Sequence, residues 1–351
     1  MRTVRINDRD IGDGNPCYVI AELSANHNQS LDRAKRLVRI AKECGADAVK
    51  LQTYTADTIT LDCDNEYFSI ADGPWKGQTL HQLYGTAFTP WEWHSELKEV
   101  ADDAGITLFS TPFDATAVMF LESLGMPAYK IASFEIVDIP LLRKVGSLKK
   151  PVIMSTGMAS LADIELAVQT LRDAGTTELV LLKCTSGYPA DPKDMNLKTL
   201  AALAQAFGVP VGLSDHALES SIPVAAVMLS ACVIEKHLTD DRSVAGPDAH
   251  FSMEPAEFKQ MVHDIRIAEQ ARGTVRFGAT TSDAINVKFR KSIFAIRDIR
   301  AGDLFTQENI RVIRPGDGLH PRHYTSLLGS KARNSIDRGT PVRNRDTEID
   351  S

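Results

Sequence analysis

Apolar residues in this chain alternate between short continuous runs and longer stretches with an apolar residue every three or four positions. The first short run, residues 18–21, is followed by a stretch of helical spacing that begins after Ser30 and stops at Gly45. Serine favours the position before a helix and glycine the position after it, so the pattern predicts a buried strand and then an amphipathic helix. The apolar positions of that helix are Leu31, Ala34, Leu37, Val38, Ala41 and Cys44.

The same unit of strand, helix and glycine recurs along most of the chain. Helix starts are indicated by Thr89, with proline next and glutamate three residues on, and by the capping-box pair Ser160 and Asp163. Further helical stretches end at Gly105, Gly125, Gly175 and Gly208. The pattern predicts eight strands, which begin near Cys17, Ala48, Ile106, Ala128, Pro151, Glu178, Pro210 and Ala231.

Eight alternating units predict an α/β protein with a closed (β/α)8 TIM barrel. An open, doubly wound sheet is the alternative, but no G-x-G-x-x-G motif opens the first unit, which counts against it. The longest insertion, residues 53–88, follows the second strand. Loops of that length are usually functional, so this one is a candidate binding loop or lid.

The pattern changes near Gly278. Short strands at residues 292–296 and 310–313, with a turn at 300–303 and one helical turn at 306–309, predict a small β-rich module. We therefore expect a catalytic barrel at residues 1–278, a linker at 279–290 and a second domain at 291–351. A module of about 60 residues is marginal alone, so it should pack on the barrel or on a partner chain.

Charge and cysteine content exclude several classes of function. The net charge of −7 disfavours binding to nucleic acid or to a membrane surface. The five cysteines are widely spaced and odd in number, which is typical of reduced thiols in a cytoplasmic protein. No stretch is apolar enough for a signal peptide or a membrane span. From Lys288 onwards the chain is net basic, which either reflects surface solubility or places the tail over an anion-binding mouth.

Candidate chemistry lies at the carboxyl ends of the predicted strands, where TIM barrels carry their active sites. His216 and His237 end neighbouring strands, so both imidazoles can bind one divalent metal ion. Glu235 or Asp215 could be a further ligand or could support one. Because charged groups are costly to bury alone, we expect Glu235, Lys236 and His237 at the rim.

Cations and small hydroxyl groups at the other strand ends suit a phosphate and a carboxylate. Lys50 and Lys130 supply the charge, although either could be satisfied by a structural ion pair. Cys184 could be a nucleophile, but the sequence shows no setting that would lower its pKa, so a packed thiol is favoured. His27 could be a ligand, a base or a loop hydrogen bonder. The hydroxyl donors are Ser110, Ser133, Ser155, Ser186 and Ser214, any of which could instead cap a helix.

Several motifs resemble the sialic acid synthase family over nearly the whole chain. Within that family, three stretches are most similar to the pseudaminic acid synthases, at residues 21–28, 89–93 and 132–140. The C-terminal R-P-G-D-G at residues 314–318 resembles the family's antifreeze-like (SAF) domain. The motifs are I-A-E-L-S-A-N-H-N, K-L-Q-T-Y, F-S-T-P-F-D, Y-K-I-A-S, M-S-T-G-M, L-S-D-H, I-E-K-H and G-P-D.

The resemblance implies a metal-dependent transferase that condenses phosphoenolpyruvate with an open-chain 2-acetamido sugar, releasing phosphate by C–O cleavage. For the pseudaminic branch the sugar is 2,4-diacetamido-2,4,6-trideoxy-L-altrose and the product is pseudaminic acid. An N-acetylneuraminate or legionaminate synthase, with the same chemistry on another 2-acetamido sugar, is the alternative. A cytoplasmic, domain-swapped homodimer is also implied.

The resemblance also implies roles for individual residues. His216 and His237 would hold the metal, with Mn²⁺ favoured over Mg²⁺ or Co²⁺, and Glu22 would handle the attacking water or stabilise the developing cation. Arg314 would reach the pocket of a neighbouring subunit. The other expected substrate contacts are Lys50, Gln52, Ser110, Lys130, Ser133, Ser155, Ser186, Tyr188, Ser214 and Asp248.

Two other classes of function compete with this interpretation. A Schiff-base aldolase would use the amine of Lys130 or Lys183, and borohydride trapping with pyruvate would reveal it. A non-catalytic carbohydrate or ice binder would depend on the C-terminal module alone. That second function has no use for a ring of charged strand ends.

Overall fold

Eight parallel strands close into a barrel, as the sequence predicts. The structure is a computed structural model that describes residues 3–73 and 75–348. The barrel closes where β3 pairs with β10, in a register that sets Glu22 beside His237. The first two strands, Val4–Ile6 (β1) and Arg9–Ile11 (β2), form an antiparallel hairpin ahead of the barrel. The barrel strands are β3 Tyr18–Glu22, β4 Ala48–Thr53, β5 Thr107–Pro112, β6 Tyr129–Ile131, β7 Val152–Ser155, β8 Leu179–Cys184, β9 Val211–Asp215 and β10 Val233–His237.

Helices follow every barrel strand, and their ends agree well with the sequence signals. The Ser30 side chain accepts a hydrogen bond from Arg33 N at the start of α1, and Ser160 and Asp163 form the predicted capping box of α7. The helices are α1 Leu31–Glu43, α2 Ala56–Ile59, α3 Leu80–Ala87, α4 Trp93–Ala104, α5 Ala115–Ser123, α6 Ile139–Gly146, α7 Leu161–Ala174, α8 Thr199–Phe207, α9 Ser221–Met228 and α10 Pro255–Arg272.

The predicted helix start at Thr89 is wrong. The helix α4 begins at Trp93 after Glu92, without a side-chain cap, and residues 90–92 form a turn. The Thr89 hydroxyl is buried and lies 3.2 Å from His27 Nε2, so it is engaged elsewhere. A tertiary hydrogen bond has therefore replaced the local cap.

Strand alternation divides the apolar core into two layers. An inner cluster fills the barrel and includes Tyr18, Phe109 and Leu182, together with hairpin residues such as Ile6. An outer cluster lies between the strands and the helices. The inner cluster occupies the amino-terminal part of the barrel, so polar residues later in the strands face inward above it.

A second unit, Thr274–Ser351, is distinct from the first, Met1–Gly273. Its short strands β11 (Ser292–Ala295) and β12 (Ile310–Ile313) pair antiparallel and pack with isolated bridges around a small core that includes Phe305. One short helix, α11, spans Tyr324–Leu327. The expected domain limits at 278 and 291 stay a prediction.

None of the helices among the described residues has the length and apolar character needed to cross a membrane.

Candidate active site

A cavity of about 380 Å³ opens at the carboxyl ends of the barrel strands. Strand ends and the loops after them supply its lining, as the barrel architecture leads one to expect. The structure brings together most of the side chains singled out from sequence. These are Glu22, Lys50, Gln52, Lys130, Ser133, Ser155, Tyr188, Ser214, His216, His237 and Asp248.

The floor of the cavity is a buried chain of alternating charges: Glu22, Lys50, Glu235 and Lys130. Lys50 Nζ contacts Glu22 Oε2 and lies 3.7 Å from Glu235 Oε1. Lys130 Nζ lies 3.6 Å from the same Glu235 oxygen. All four residues are almost fully buried, so their charges act through little solvent and depend on one another.

Burial and neighbouring charges set the protonation of these groups. Burial raises the pKa of Glu22, and the charge of Lys50 only partly offsets that effect. Burial also acts on Glu235, but the charges of Lys130 and Lys50 lower its pKa below its usual range. Burial lowers the pKa of Lys130. Glu22 is therefore the carboxylate on the floor that most readily takes up a proton.

Hydroxyl groups surround the two lysines. Lys130 Nζ donates to Ser155 Oγ at 2.8 Å, and Lys50 Nζ donates to Thr111 Oγ1 at 3.1 Å. Ser110, predicted to contact substrate, lies outside the cavity because adjacent strand residues face opposite sides, and its Oγ bonds to Thr53 Oγ1. Thr111 has the inward position that we assigned to Ser110.

The two predicted metal ligands, His216 and His237, lie next to each other, with ring centroids 5.3 Å apart and ring planes tilted by 57°. His216 Nδ1 donates to the carbonyl of Thr185 at 3.0 Å, so Nε2 is the nitrogen that can bind a metal ion, in place of its hydrogen bond with the Cys184 thiol. His237 Nδ1 is buried without a hydrogen-bond partner. Burial lowers the pKa of His237 well below its usual range, which favours the neutral ligand form. The pair fits a divalent ion that imidazole binds well.

The expectation that Glu235, Lys236 and His237 lie at the rim is wrong, because all three are buried. Lys236 faces outward from the barrel, where its Nζ lies 2.6 Å from Asp215 Oδ2. Neither side chain of this pair is accessible to solvent. The ion pair with Asp215 offsets the cost of burying Lys236. Asp215 immediately precedes His216, and Lys236 immediately precedes His237. Asp215 is thus a partner of Lys236.

A second polar group lies on the side of the cavity formed by Gln52. Gln52 Nε2 donates to Ser24 Oγ at 3.0 Å, and Ser24 Oγ contacts the Asp248 carboxylate. Burial raises the pKa of Asp248. Ser24 was not predicted from sequence as a site residue, although it follows Glu22 by two positions. It joins two expected substrate contacts into one network.

Other candidates lie outside this lining. Ser186 does not line the cavity. Its Oγ lies against Gly157, since a Cβ added to that glycine would come within 2.6 Å of it. Arg314 is exposed in the second unit. Lys183 donates to the carbonyl of Cys184 at 2.7 Å and does not line the cavity. His27 is a loop hydrogen bonder that accepts from Gln29 N and lies beside Thr89.

Cys184 lines the cavity beside His216, in a setting that its sequence context did not reveal. Burial alone would raise the pKa of the thiol, but the hydrogen bond with His216 brings it to about 7. The thiol is almost fully buried. The structure therefore gives Cys184 a polar neighbour that lowers its pKa, which the sequence did not reveal.

Glu135 also lines the cavity, on the one-turn 3-10 helix Ser133–Val137 after β6. Its Oε2 is buried and has no hydrogen-bond partner. Burial raises the pKa of Glu135 from 4.5 to about 7, and the charge of Lys130 offsets only part of this effect. The carboxyl group is therefore poised to bind a donor that the protein itself does not provide.

The raised pKa of Glu135 predicts a pH-dependent stability. Between pH 4.5 and 7 the folded state binds more protons than the unfolded state, so this group's contribution is full below pH 4.5 and is lost as pH rises through 7. Replacing Glu135 with glutamine should leave the stability of metal-free protein almost unchanged at pH 4 but raise it at pH 8 by up to about 3 kcal/mol. Urea unfolding of both proteins at each pH measures this difference. An equal difference at both pH values would contradict the prediction.

Comparisons with known proteins agree with this architecture. Residues 37–277 match the NeuB family and residues 290–347 match the SAF domain. The chain is 44% identical to a pseudaminic acid synthase of Campylobacter jejuni, over 94% of this chain and 96% of that protein. It is 39% identical to an N,N'-diacetyllegionaminic acid synthase of Legionella pneumophila, over 94% of each.

A solved structure shares the fold as well. It is an N-acetylneuraminic acid synthetase from Leptospira borgpetersenii in complex with citrate, with a TM-score of 0.73 and 30% identity. The similarity covers 82% of this chain and 96% of that one.

Proposed function

Because the chain belongs to the NeuB family, we propose that it is a pseudaminic acid synthase, which condenses phosphoenolpyruvate with 2,4-diacetamido-2,4,6-trideoxy-L-altrose. Three relatives that are 42–44% identical to this chain, from Campylobacter jejuni and Helicobacter pylori, are pseudaminic acid synthases. A legionaminate synthase, which uses the same chemistry on another acetamido sugar, is the second candidate, since such an enzyme is 39% identical.

The observation that carries this proposal is the buried floor of Glu22, Lys50, Glu235 and Lys130 beneath two histidines. Phosphoenolpyruvate carries a phosphate and a carboxylate, and both groups bind well to cations and to hydrogen-bond donors on short side chains. Lys50 and Lys130 supply the cations in a site of low polarity, where their charges act strongly. Ser133, Ser155 and Ser214 supply donors at the same level of the barrel.

Two histidines can hold a divalent metal here, with Mn²⁺ as our proposal. Among the described residues, no group of three or more His, Cys, Asp or Glu side chains is placed to bind a metal ion. Water and substrate oxygen atoms would therefore supply the other ligands to an ion held by His216 and His237. Such an ion acts as a Lewis acid toward the sugar aldehyde when it is bound.

The residues of this chain orient the reactants and handle the protons. The methylene carbon of phosphoenolpyruvate attacks the aldehyde carbon, and positive charge develops at C2 of the enol. Glu22 lies between Lys50 and His237 in the strand register, so its carboxylate can stabilise that charge. It then accepts a proton from the water that adds to C2, and this proton passes to the former aldehyde oxygen, which becomes a hydroxyl group. The intermediate loses phosphate by C–O cleavage, and the C2 hydroxyl gives its proton to the departing phosphate as the ketone forms.

The sugar binds on the side of Gln52, Tyr188 and Asp248. Asp248 contacts Ser24, which in turn accepts a hydrogen bond from Gln52, so the three side chains are held together before substrate arrives. The Tyr188 ring lies 4.5 Å from the ring of His216 and so borders the metal ligands. This arrangement holds the sugar next to the methylene carbon of phosphoenolpyruvate, and such proximity raises the reaction rate.

The proposal is tested by phosphate release from phosphoenolpyruvate with each of three sugars: the trideoxy altrose, the legionaminate precursor and N-acetylmannosamine. We expect the highest kcat/KM with the trideoxy altrose. Removal of divalent ions by a chelator should abolish the activity, and Mn²⁺ should restore it. Activity that survives the chelator, or trapping of a pyruvate adduct on Lys130 by borohydride, would favour the Schiff-base alternative.

We also propose that the chain forms a homodimer in the cytoplasm. Val275 and Phe277, at the start of the second unit, are more than nine-tenths exposed, and such exposed apolar residues often mark an interface. Exposed Arg314 is the residue that would enter the partner's pocket. Sedimentation of the full chain measures the dimer directly, and a monomer at micromolar concentration would contradict it.

A further inference from the structure

One side of the cavity is lined by apolar and aromatic side chains, in contrast to the charged floor. Six residues form this side. Five of them belong to the insertion after β4, and the sixth follows β5. We call this set the apolar wall. It comprises Tyr54, Ile59, Leu83, Tyr84, Ala87 and Phe113.

The aromatic members hold one another in place. The ring of Tyr54 packs edge-to-face against Tyr84, with centroids 5.6 Å apart, and against Phe113, with centroids 5.0 Å apart. Tyr54 and Leu83 are buried, with 3% and 8% of their surface exposed. The wall is therefore a preformed surface, since such ring pairs resist rearrangement.

The apolar wall does not contribute to the hydrophobic core. Among the described residues, none of its members belongs to the clusters that fill the barrel, the layer around it or the small cluster after β8. A buried leucine or tyrosine normally packs within such a cluster. These residues line the cavity instead, so the part of their apolar surface that is not covered by their neighbours is available to a ligand.

The two substrates of the proposed reaction differ in what they need from the cavity. Phosphoenolpyruvate carries two anionic groups, which suit the lysines and hydroxyls of the floor. The trideoxy sugar carries three methyl groups, one on each acetamido group and one at C6, whereas N-acetylmannosamine carries a single methyl group and a hydroxyl at C6. Burial of each methyl group is favourable by about 0.8 kcal/mol, but a hydroxyl loses hydration on an apolar surface.

We propose that the apolar wall is the specificity surface for the sugar, binding methyl groups that a 2,4-diacetamido-6-deoxy sugar has and N-acetylmannosamine lacks. The inference depends on the proposed function for the identity of the sugar. It assigns selectivity to the insertion after β4, whereas the catalytic floor comes from the strand ends. No member of the wall takes part in bond making.

The test compares Leu83→Ala with wild type, using kcat/KM for the trideoxy sugar and for N-acetylmannosamine at saturating phosphoenolpyruvate and Mn²⁺. Loss of methyl contacts should lower kcat/KM for the trideoxy sugar by about tenfold or more. The value for N-acetylmannosamine should change less than twofold, and KM for phosphoenolpyruvate should not change. Leu83→Met, which keeps the apolar volume, should restore most of the preference.

Leu61→Ala is the matched control, because Leu61 lies in the same insertion but is 59% exposed and does not line the cavity. It should behave as wild type. If Leu83→Ala does not fold, Ile59→Ala offers a second measurement at a half-buried wall position.

The outcomes separate the two proposals. A wild-type enzyme that releases no phosphate with the trideoxy sugar overturns the proposed function before any variant is made. A wild-type enzyme that uses this sugar, with a preference that Leu83→Ala and Ile59→Ala leave unchanged, overturns the role of the wall alone. An equal loss with both sugars also overturns it, because that result indicates general damage to the site.

Discussion

Replacing Glu22 with alanine is expected to give a folded, metal-binding protein whose kcat is lower by about 10²–10⁴-fold. Glu22 Oε1 accepts a hydrogen bond from Ser24 N at 2.6 Å, which fixes the carboxylate on the cavity floor. Its other oxygen contacts Lys50, and its neighbour in the strand register is His237. Glu235, the other carboxylate of the floor, has a lowered pKa and is the weaker proton acceptor.

Two further variants make the result specific to the charge of Glu22. Glu22→Gln keeps the shape and should be nearly as slow as the alanine variant. Glu96→Gln removes a carboxylate that pairs with Lys35 on the surface, and it should retain full activity. Steady-state kinetics and Mn²⁺ titration measure the effects. Near-normal turnover of Glu22→Ala would remove this residue from the mechanism.

Replacing Asp215 with alanine is expected to destabilise the barrel by about 3–5 kcal/mol. The pair of Asp215 and Lys236 is inaccessible to solvent, with 2.6 Å between Nζ and Oδ2. Asp215 Oδ1 also accepts a hydrogen bond from Ala217 N at 2.9 Å. The variant leaves Lys236 buried without its counter-charge, and that penalty is a large fraction of a typical folding free energy.

Urea unfolding measures this effect, and a surface pair provides the matched control. Lys98 and Asp102 are also separated by 2.6 Å, but they lie one helical turn apart on the surface. Asp102→Ala should therefore lower stability by no more than about 0.5 kcal/mol. The double variant of Asp215→Ala with Lys236→Met should recover part of the lost stability. Equal effects for Asp215→Ala and Asp102→Ala would show that burial does not strengthen the inner pair.

The barrel could be predicted from sequence because its local signals repeat and agree. Ser30, Ser160 and the glycines that end helices all act through hydrogen bonds or backbone angles within a few residues, and these are independent of the rest of the fold. Thr89 is the exception, since its hydroxyl lies beside His27 far away in sequence. A local rule cannot anticipate a partner that only the tertiary structure provides.

Within the site, two features could not be predicted from sequence: which side of a strand a side chain lies on, and which apolar residues line the cavity. Ser110 and Thr111 are adjacent hydroxyls, and only the pleat of β5 decides that Thr111 reaches Lys50. Lys236 looked like a rim residue because its partner Asp215 lies on another strand. Tyr54 and Leu83 were missed because an apolar side chain that faces a cavity has the same sequence pattern as one that fills a core.

The apolar wall and the charged floor come from different parts of the sequence. Residues 54–88 carry most of the apolar wall, whereas every charged group of the floor is on a barrel strand. Mutations in one contiguous stretch of the gene can thus change the accepted sugar while leaving carbon–carbon bond formation intact. Such a division allows the accepted sugar to change by exchange of a single segment, which is also a route open to protein engineers.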